Sequence, residues 1–203
     1  MLGVGLLRVV ERRPLDADCR SSCRQPSLRF PSVIHDEHPF ADPEDLRDPA
    51  RRFRGRLSAP VTLVTAGTVA NPAGLTVSSL VVAEGEPSRV FFLCGTGTDL
   101  WYAIGETGAF IVHVLEESHR EISDRFAGLR PSPGGLFRGL DPVDTEWGPL
   151  IPSVATRAFC RFTGHTETDI YALVDGVMEK IDLSDITRPL QYFRGRYLRA
   201  EDQ

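Results

Sequence analysis

Positive charge is not in excess in this chain: 23 Lys and Arg stand against 28 Asp and Glu, a formal net charge of −5 over 203 residues. Such a balance gives no general attraction for phosphate backbones or anionic membranes, so nucleic-acid and membrane partners are not expected. Cysteine is scarce as well, at four residues. Cys94 and Cys160 lie in apolar, strand-like runs, where a thiol behaves as a small buried hydrophobe. Cys19 and Cys23 are spaced C-x₃-C, with no second Cys or His pair to close a four-ligand zinc site. The run His35-Asp36-Glu37-His38 lacks the helical i, i+4 geometry of a metal site, so no metal is expected. The opening Met1 to Val10 is apolar but about half the length a membrane span needs. It also lacks the basic start and small-residue cleavage site of a signal peptide. These absences predict a cytoplasmic protein in a reducing compartment. No internal repeat is visible. No Ser-His-Asp or Cys-His order points to covalent catalysis, and no side chain is singled out as catalytic.

What is present is a composition able to bury a core, with 41% hydrophobic and 25% charged residues. Residues 1–40 show no sustained period and read as a poorly ordered N-terminal extension; one domain is expected over 41–203. Asp42-Pro43 is a helix start, and Pro49 restarts the helix through Phe53 to about Leu57. Val61 to Thr65 is β-branched and short, a strand. Ala70 to Gly74 has turn composition, Leu75 to Val82 reads as one strand, and Val90 to Cys94 as a strand buried on both faces. Thr98 or Asp99 caps a helix over Leu100–Glu106 that Gly108 closes, and Ala109 to Leu115 is again a strand. Ser118-His119-Arg120-Glu121 fits a capping box, opening a helix that stops at Gly128. Leu129 to Pro152 is a long Pro- and Gly-rich loop, of the length that is usually functional. Strands over Val154–Thr163, Asp169–Ile181 and Leu190–Leu198 complete about seven strands and three short helices. That count predicts a mainly β protein, a closed or nearly closed barrel with helices plugging its ends.

Two segments can carry chemistry. Gly74-Leu75-Thr76-Val77-Ser78-Ser79 sets three hydroxyls beside backbone N–H groups, and such a strand edge can bind a planar heterocycle. Ordinary β-propensity accounts for the same stretch as a strand with a solvated face. Gly95-Thr96-Gly97-Thr98-Asp99 lies between a strand and a helix, where backbone N–H groups make an anion site or simply a βα turn. It is not a dinucleotide fingerprint: Leu100 occupies the third glycine position, and strands do not alternate with helices.

Taken in order, these segments resemble the flavin reductase-like family, which has the FMN-binding split β-barrel fold, mainly β and Greek-key-like with a few short helices. The resemblance runs from about Arg52 to Leu198. Its markers are Ala59 to Thr65, Gly74 to Ser79, Val90 to Cys94, Gly108 to Leu115 with Arg125-Phe126-Ala127-Gly128, and Pro189 to Tyr197. It implies an NAD(P)H-dependent flavin reductase with FMN or FAD as cofactor, a homodimer, and a flavin-dependent monooxygenase as partner; the alternatives are a flavin-binding protein without reductase turnover and a split-barrel oxidoreductase that retains its flavin. By the same resemblance Thr76, Val77, Ser78 and Ser79 hold the isoalloxazine ring. Thr96 and Thr98 fall at the phosphate loop, and Phe126 lies near the flavin. The chain departs from the family pattern twice: Asp99-Leu100 stands where many members have Ser or Asn-Ser, and Asp169-Ile170 where many have a Gly-Asp-His segment, with His165 several residues earlier.

Overall fold

The computed structural model describes residues 48–198, so the helix start at Asp42 and the N-terminal extension lie outside the described residues. Asp48 caps α1 (Pro49–Arg54) by accepting the Ala50 N–H at 3.0 Å, with Pro49 at the position where its missing N–H costs nothing. Next come β1 (Ala59–Pro60), β2 (Thr62–Gly67), β3 (Pro72–Val77), β4 (Val81–Ala83), β5 (Arg89–Gly95), α2 (Asp99–Thr107) and β6 (Ala109–Val114). A 3-10 turn, Glu117–His119, leads into α3 (Arg120–Phe126). The chain finishes with β7 (Val143–Thr145), β8 (Gly148–Leu150), β9 (Arg157–Glu167), β10 (Tyr171–Asp182), β11 (Gln191–Phe193) and β12 (Arg196–Leu198).

Seven strands form one antiparallel sheet in the order β3-β2-β6-β9-β10-β5-β4. Its two edges, β3 and β4, are consecutive in the chain and joined only by Ser78, Ser79 and Leu80. A link of that length reaches about 14 Å. Seven strands laid flat would separate the same edges by about 29 Å. The sheet is therefore forced to curl into a barrel, with its split between β3 and β4. Just before β4, the Leu93 N–H of β5 donates to Ser79 Oγ at 3.0 Å, continuing the β4–β5 register into the link.

The barrel is filled by Val64, Val77, Val90, Phe92, Phe110, Val112 and Val174, all buried. Helix α2 plugs one end, adding Leu100, Ala103 and Ile104 to this core. Gly176 faces Phe110 here; a Cβ would stand 2.5 Å from the ring's Cζ. A second apolar cluster lies on the outer side of the sheet, where Leu63 and Leu115 meet Phe126 of α3, Ile151 and Leu190. Strand β6 is buried from Ala109 to His113, with Phe110 and Val112 in the barrel core and Ile111 and His113 also buried.

Several sequence expectations change. The stretch Leu75–Val82 is not one strand, because the chain must cross from one sheet edge to the other at Ser78–Leu80. Pairing also begins earlier than expected, with Pro72–Gly74 already in β3 and the turn confined to Thr68–Asn71. The run Val90–Cys94 alternates instead of being buried on both faces: Val90, Phe92 and Cys94 point into the barrel while Leu93 is 41% exposed. Leu190–Leu198 is a hairpin; Arg194 and Gly195 both take positive φ, which turns β11 back onto β12. The capping box belongs to Glu116 and His119, not Ser118: Glu116 N–H donates to His119 Nδ1 at 3.1 Å. The long loop 129–152 contains the β7–β8 hairpin.

Candidate functional site

Among the described residues, strand β3 pairs only with β2, so its far edge presents backbone N–H and C=O groups that no described strand takes. Period two sends Leu75 and Val77 into the barrel core, and Gly74 and Thr76 outward to α3. The Thr76 hydroxyl donates to the Ser123 carbonyl at 2.8 Å, so it fastens β3 to α3 and is not a free ligand for a ring. The Val77 carbonyl accepts from the Thr62 hydroxyl at 2.9 Å. Immediately beyond, Ser78 and Ser79 are exposed in the link that spans the split. The donor set here is thus a strand edge plus two exposed serines, chemistry that suits the alternating carbonyls and ring nitrogens of a flat heterocycle.

Thr96 and Thr98 both spend their hydroxyls on the backbone. Thr96 N–H and Oγ1 reach the Ile170 carbonyl at 3.2 and 3.4 Å, pinning the loop to the β9–β10 turn. Thr98, not Asp99, is the helix cap: its Oγ1 accepts the Trp101 N–H at 3.3 Å and donates to Gly95 C=O at 2.8 Å. What remains for an anion is the N-terminal end of α2 and the exposed Gly97 backbone. Asp99 and Glu106 line a cavity of about 180 Å³ between α2 and the start of β3, together with Asn71, Pro72 and Tyr102.

Phe126 is buried at 3% exposure, its ring edge-on to Phe137 at 5.0 Å, and both rings lie against Gly74. Phe126 thus supports β3 from behind, two residues ahead of Thr76.

The histidines separate by environment. His113 is fully buried: its Nε2 accepts the Ile151 N–H at 3.2 Å and its Nδ1 faces the Leu63 carbonyl at 3.3 Å. Burial pushes its pKa down to about 3, the Leu63 carbonyl opposes the shift and nearby Arg157 adds to it, so the ring is neutral. His119 is a capping residue whose Nε2 lies 3.1 Å from Ser153 C=O. His165 stays within β9 opposite Val174, edge-on to Trp101 at 4.9 Å and 3.5 Å from the Glu167 carboxylate. Thr166 and Glu167 continue that strand, so no fold-back loop carries His165 elsewhere.

Sequence reasoning missed a buried polar group behind β3. The Tyr197 hydroxyl lies 2.9 Å from Ser123 Oγ and donates to Asp124 Oδ1 at 2.7 Å, and Arg120 and Arg130 face the same carboxylate. Burial and the Asp124 charge both push the Tyr197 pKa upward, against the Ser123 hydrogen bond, so the phenol keeps its proton. No periodicity marks these residues, since their partners are about 74 positions apart in the chain.

The family model described as Flavin reductase like domain matches residues 54–201. HsaB of Mycobacterium tuberculosis, the reductase subunit of a flavin-dependent monooxygenase, is 29% identical over 161 residues, 75% of this chain and 83% of its own length. SmoA of Agrobacterium fabrum, an FMN reductase (NADH), is 28% identical over 141 residues, 69% of this chain and 79% of its own. Among solved structures, the NADH:FAD oxidoreductase SgcE6 of Streptomyces globisporus C-1027 aligns with a TM-score of 0.68 at 24% identity. That alignment covers 79% of this chain and 99% of SgcE6, and it shows the same fold.

Proposed function

The chain belongs to the flavin reductase-like family, and from that premise we propose that it is an NADH-dependent flavin reductase that supplies reduced FMN or FAD to a flavin-dependent monooxygenase. The observation that carries the site is the barrel split, where an unpaired strand edge runs directly into the exposed Ser78 and Ser79. Backbone groups from Thr76 to Ser79, with the two serine hydroxyls, hold the isoalloxazine edge. The residues fit such a group because a strand edge supplies both donors and acceptors in register with a flat heterocycle. The α2 N-terminus beside Thr96 and Thr98 takes the phosphate, and Phe126 backs the strand. The flavin, once bound, supplies the chemistry by accepting hydride at N5 from the nicotinamide C4. The protein contributes orientation and exclusion of water, and no side chain needs to move a proton. Asp99 beside the phosphate end weakens anion binding there, which favours release of the flavin over tight retention.

A second copy of the chain covers the outer face of β4, β5 and β10. There Val81, Leu93, Tyr171 and Leu173 are 62%, 41%, 42% and 37% exposed. Leu93 lies directly opposite Leu173, so the apolar surface is continuous across strands. The Ser79–Leu93 hydrogen bond brings the flavin segment to the border of this face, in keeping with a site beside the dimer interface. No helix among the described residues is long and apolar enough to cross a membrane. The free thiols of Cys94 and Cys160 are buried, in keeping with work in the reducing cytoplasm.

The test is a flavin titration followed by NADH in the same cuvette. Flavin-dependent loss of the NADH absorbance is expected; no oxidation above the enzyme-free blank, with either FMN or FAD, refutes the reading.

A further inference from the structure

Four consecutive residues ending α3 grip three different elements. The Ser123 carbonyl takes the Thr76 hydroxyl of β3, and Asp124 takes Tyr197 of β12. Arg125 turns the other way: its Nη1 donates to the Leu136 carbonyl at 3.3 Å and to the Arg138 carbonyl at 2.8 Å. Phe126 packs on Phe137. Arg125 and Phe126 thus hold the same short stretch of the 129–142 loop, one by its backbone and one by its ring.

That stretch lies against the flavin strand. A Cβ at Gly74 would stand 2.7 Å from Phe126 Cε1 and 3.3 Å from Phe137 Cζ, so the two rings fill the space a side chain would need. Between its ends the loop forms no strand or helix, and Leu136, Phe137 and Leu140 anchor it on the outer cluster. Apolar anchors alone fix depth but not direction. The guanidinium supplies direction, because one nitrogen is shared by two carbonyls two residues apart, while the other end of the group is steadied 3.8 Å from Glu121. A lysine ammonium can reach the carbonyls but has no second nitrogen to meet Glu121 at the same time.

We propose that Arg125 is a positioning residue for the flavin: it clamps the 129–142 loop so that Phe137 presses on Gly74 and holds the strand edge leading into Thr76–Ser79 in its binding register. The proposal rests on the reading that this edge and the two serines hold the flavin. A hydrogen bond from a charged donor is among the stronger ones. Losing the clamp therefore raises the flavin Kd by about tenfold or more.

The experiment compares wild type, Arg125→Met, Arg125→Lys and Phe137→Leu. FMN and FAD affinity is read by quenching of free flavin fluorescence, and loop exposure by tryptic cleavage after Arg138, since the Arg130–Pro131 bond resists trypsin. The Met variant keeps the aliphatic stem but no donor, so it weakens flavin binding and speeds cleavage in the loop. The Lys variant recovers part of both. In steady state the loss falls on the KM for flavin more than on kcat. Phe137→Leu, which loosens the same loop from its aromatic side, shifts affinity in the same direction and reads the proposal should the Met variant not fold. Faster cleavage with an unchanged flavin Kd overturns the proposal and leaves Arg125 a structural clamp alone. Wild-type protein that quenches neither flavin overturns the flavin reading as well, which separates the two failures.

Discussion

His113 makes the stability of this fold pH-dependent in a way that can be calculated. Its ring bridges β2, β6 and the end of β8, accepting the Ile151 N–H at Nε2 and facing Leu63 C=O with Nδ1. Only the neutral form with its hydrogen on Nδ1 satisfies both partners, because a proton on Nε2 would confront a donor. Burial holds the folded-state pKa down at about 3, against 6.5 for an exposed ring. Between those values the unfolded chain binds a proton that the folded one does not, so stability falls as pH drops through 6.5 and levels off only near 3. The limiting slope is about 1.4 kcal/mol per pH unit, and integration from about pH 7 to about pH 5 gives a loss of about 2 kcal/mol. Urea unfolding at stepped pH measures this, with an m-value of about 2 kcal/mol/M turning the loss into a midpoint shift of about 1 M. His113→Gln, which keeps a donor and an acceptor but cannot titrate, is the reference. It is less stable than wild type near neutrality, and the gap narrows by about 2 kcal/mol on acidification. Asp182 and Glu179 are held below the usual carboxylate range mainly by their bonds to Arg157 and Arg161. Their contribution is lost only at lower pH, as the medium passes through their depressed values, and both proteins share it. Parallel pH profiles for wild type and His113→Gln would refute the reasoning.

Gly176→Ala places a methyl 2.5 Å from Phe110 Cζ inside the barrel, where the fully buried ring has nowhere to go. A loss of about 1–3 kcal/mol is expected, read as a fall of about 2–4 °C in Tm for each kcal/mol. An unchanged melting curve would show that the barrel interior yields more than its packing implies. Leu93→Lys puts a charge in the middle of the apolar outer face, opposite Leu173. Sedimentation should find a monomer with its Tm little altered, because Leu93 is 41% exposed in the single chain. A variant still dimeric, or a monomeric wild type, removes that face as the interface.

Local order was largely legible in the sequence. Thr98 and Gly108 bracket α2 as expected, since a cap hydroxyl and a left-handed glycine act within one turn of the chain. Tyr171 to Val174 alternate as read, with Ala172 and Val174 inward and Tyr171 and Leu173 outward, whereas register shifts after Asp175 and Met178 break the alternation expected through Ile181. Errors arose where distant parts of the chain decide the outcome. Val90–Cys94 is uniformly apolar because one face fills the barrel and the other forms the exposed surface assigned to a second copy; apolarity alone does not separate that from burial on both sides. The β-branched run around Val77 and Val81 hides its break, since nothing local to Ser78–Leu80 shows that β3 and β4 lie at opposite ends of the sheet order.

By itself, then, the sequence determined most of the elements and the barrel class, because period, caps and turns act over a few residues, and its resemblance to a family pointed to the segment from Gly74 to Ser79. Only the tertiary structure decided what each group in that stretch is used for. Thr76 gives its hydroxyl to Ser123, Gly74 yields its space to Phe126 and Phe137, and Ser78 and Ser79 stay exposed at the split. Those assignments depend on which strand edge is left unpaired and which helix packs behind it. Both follow from closing seven strands around a core, a constraint that belongs to the whole chain.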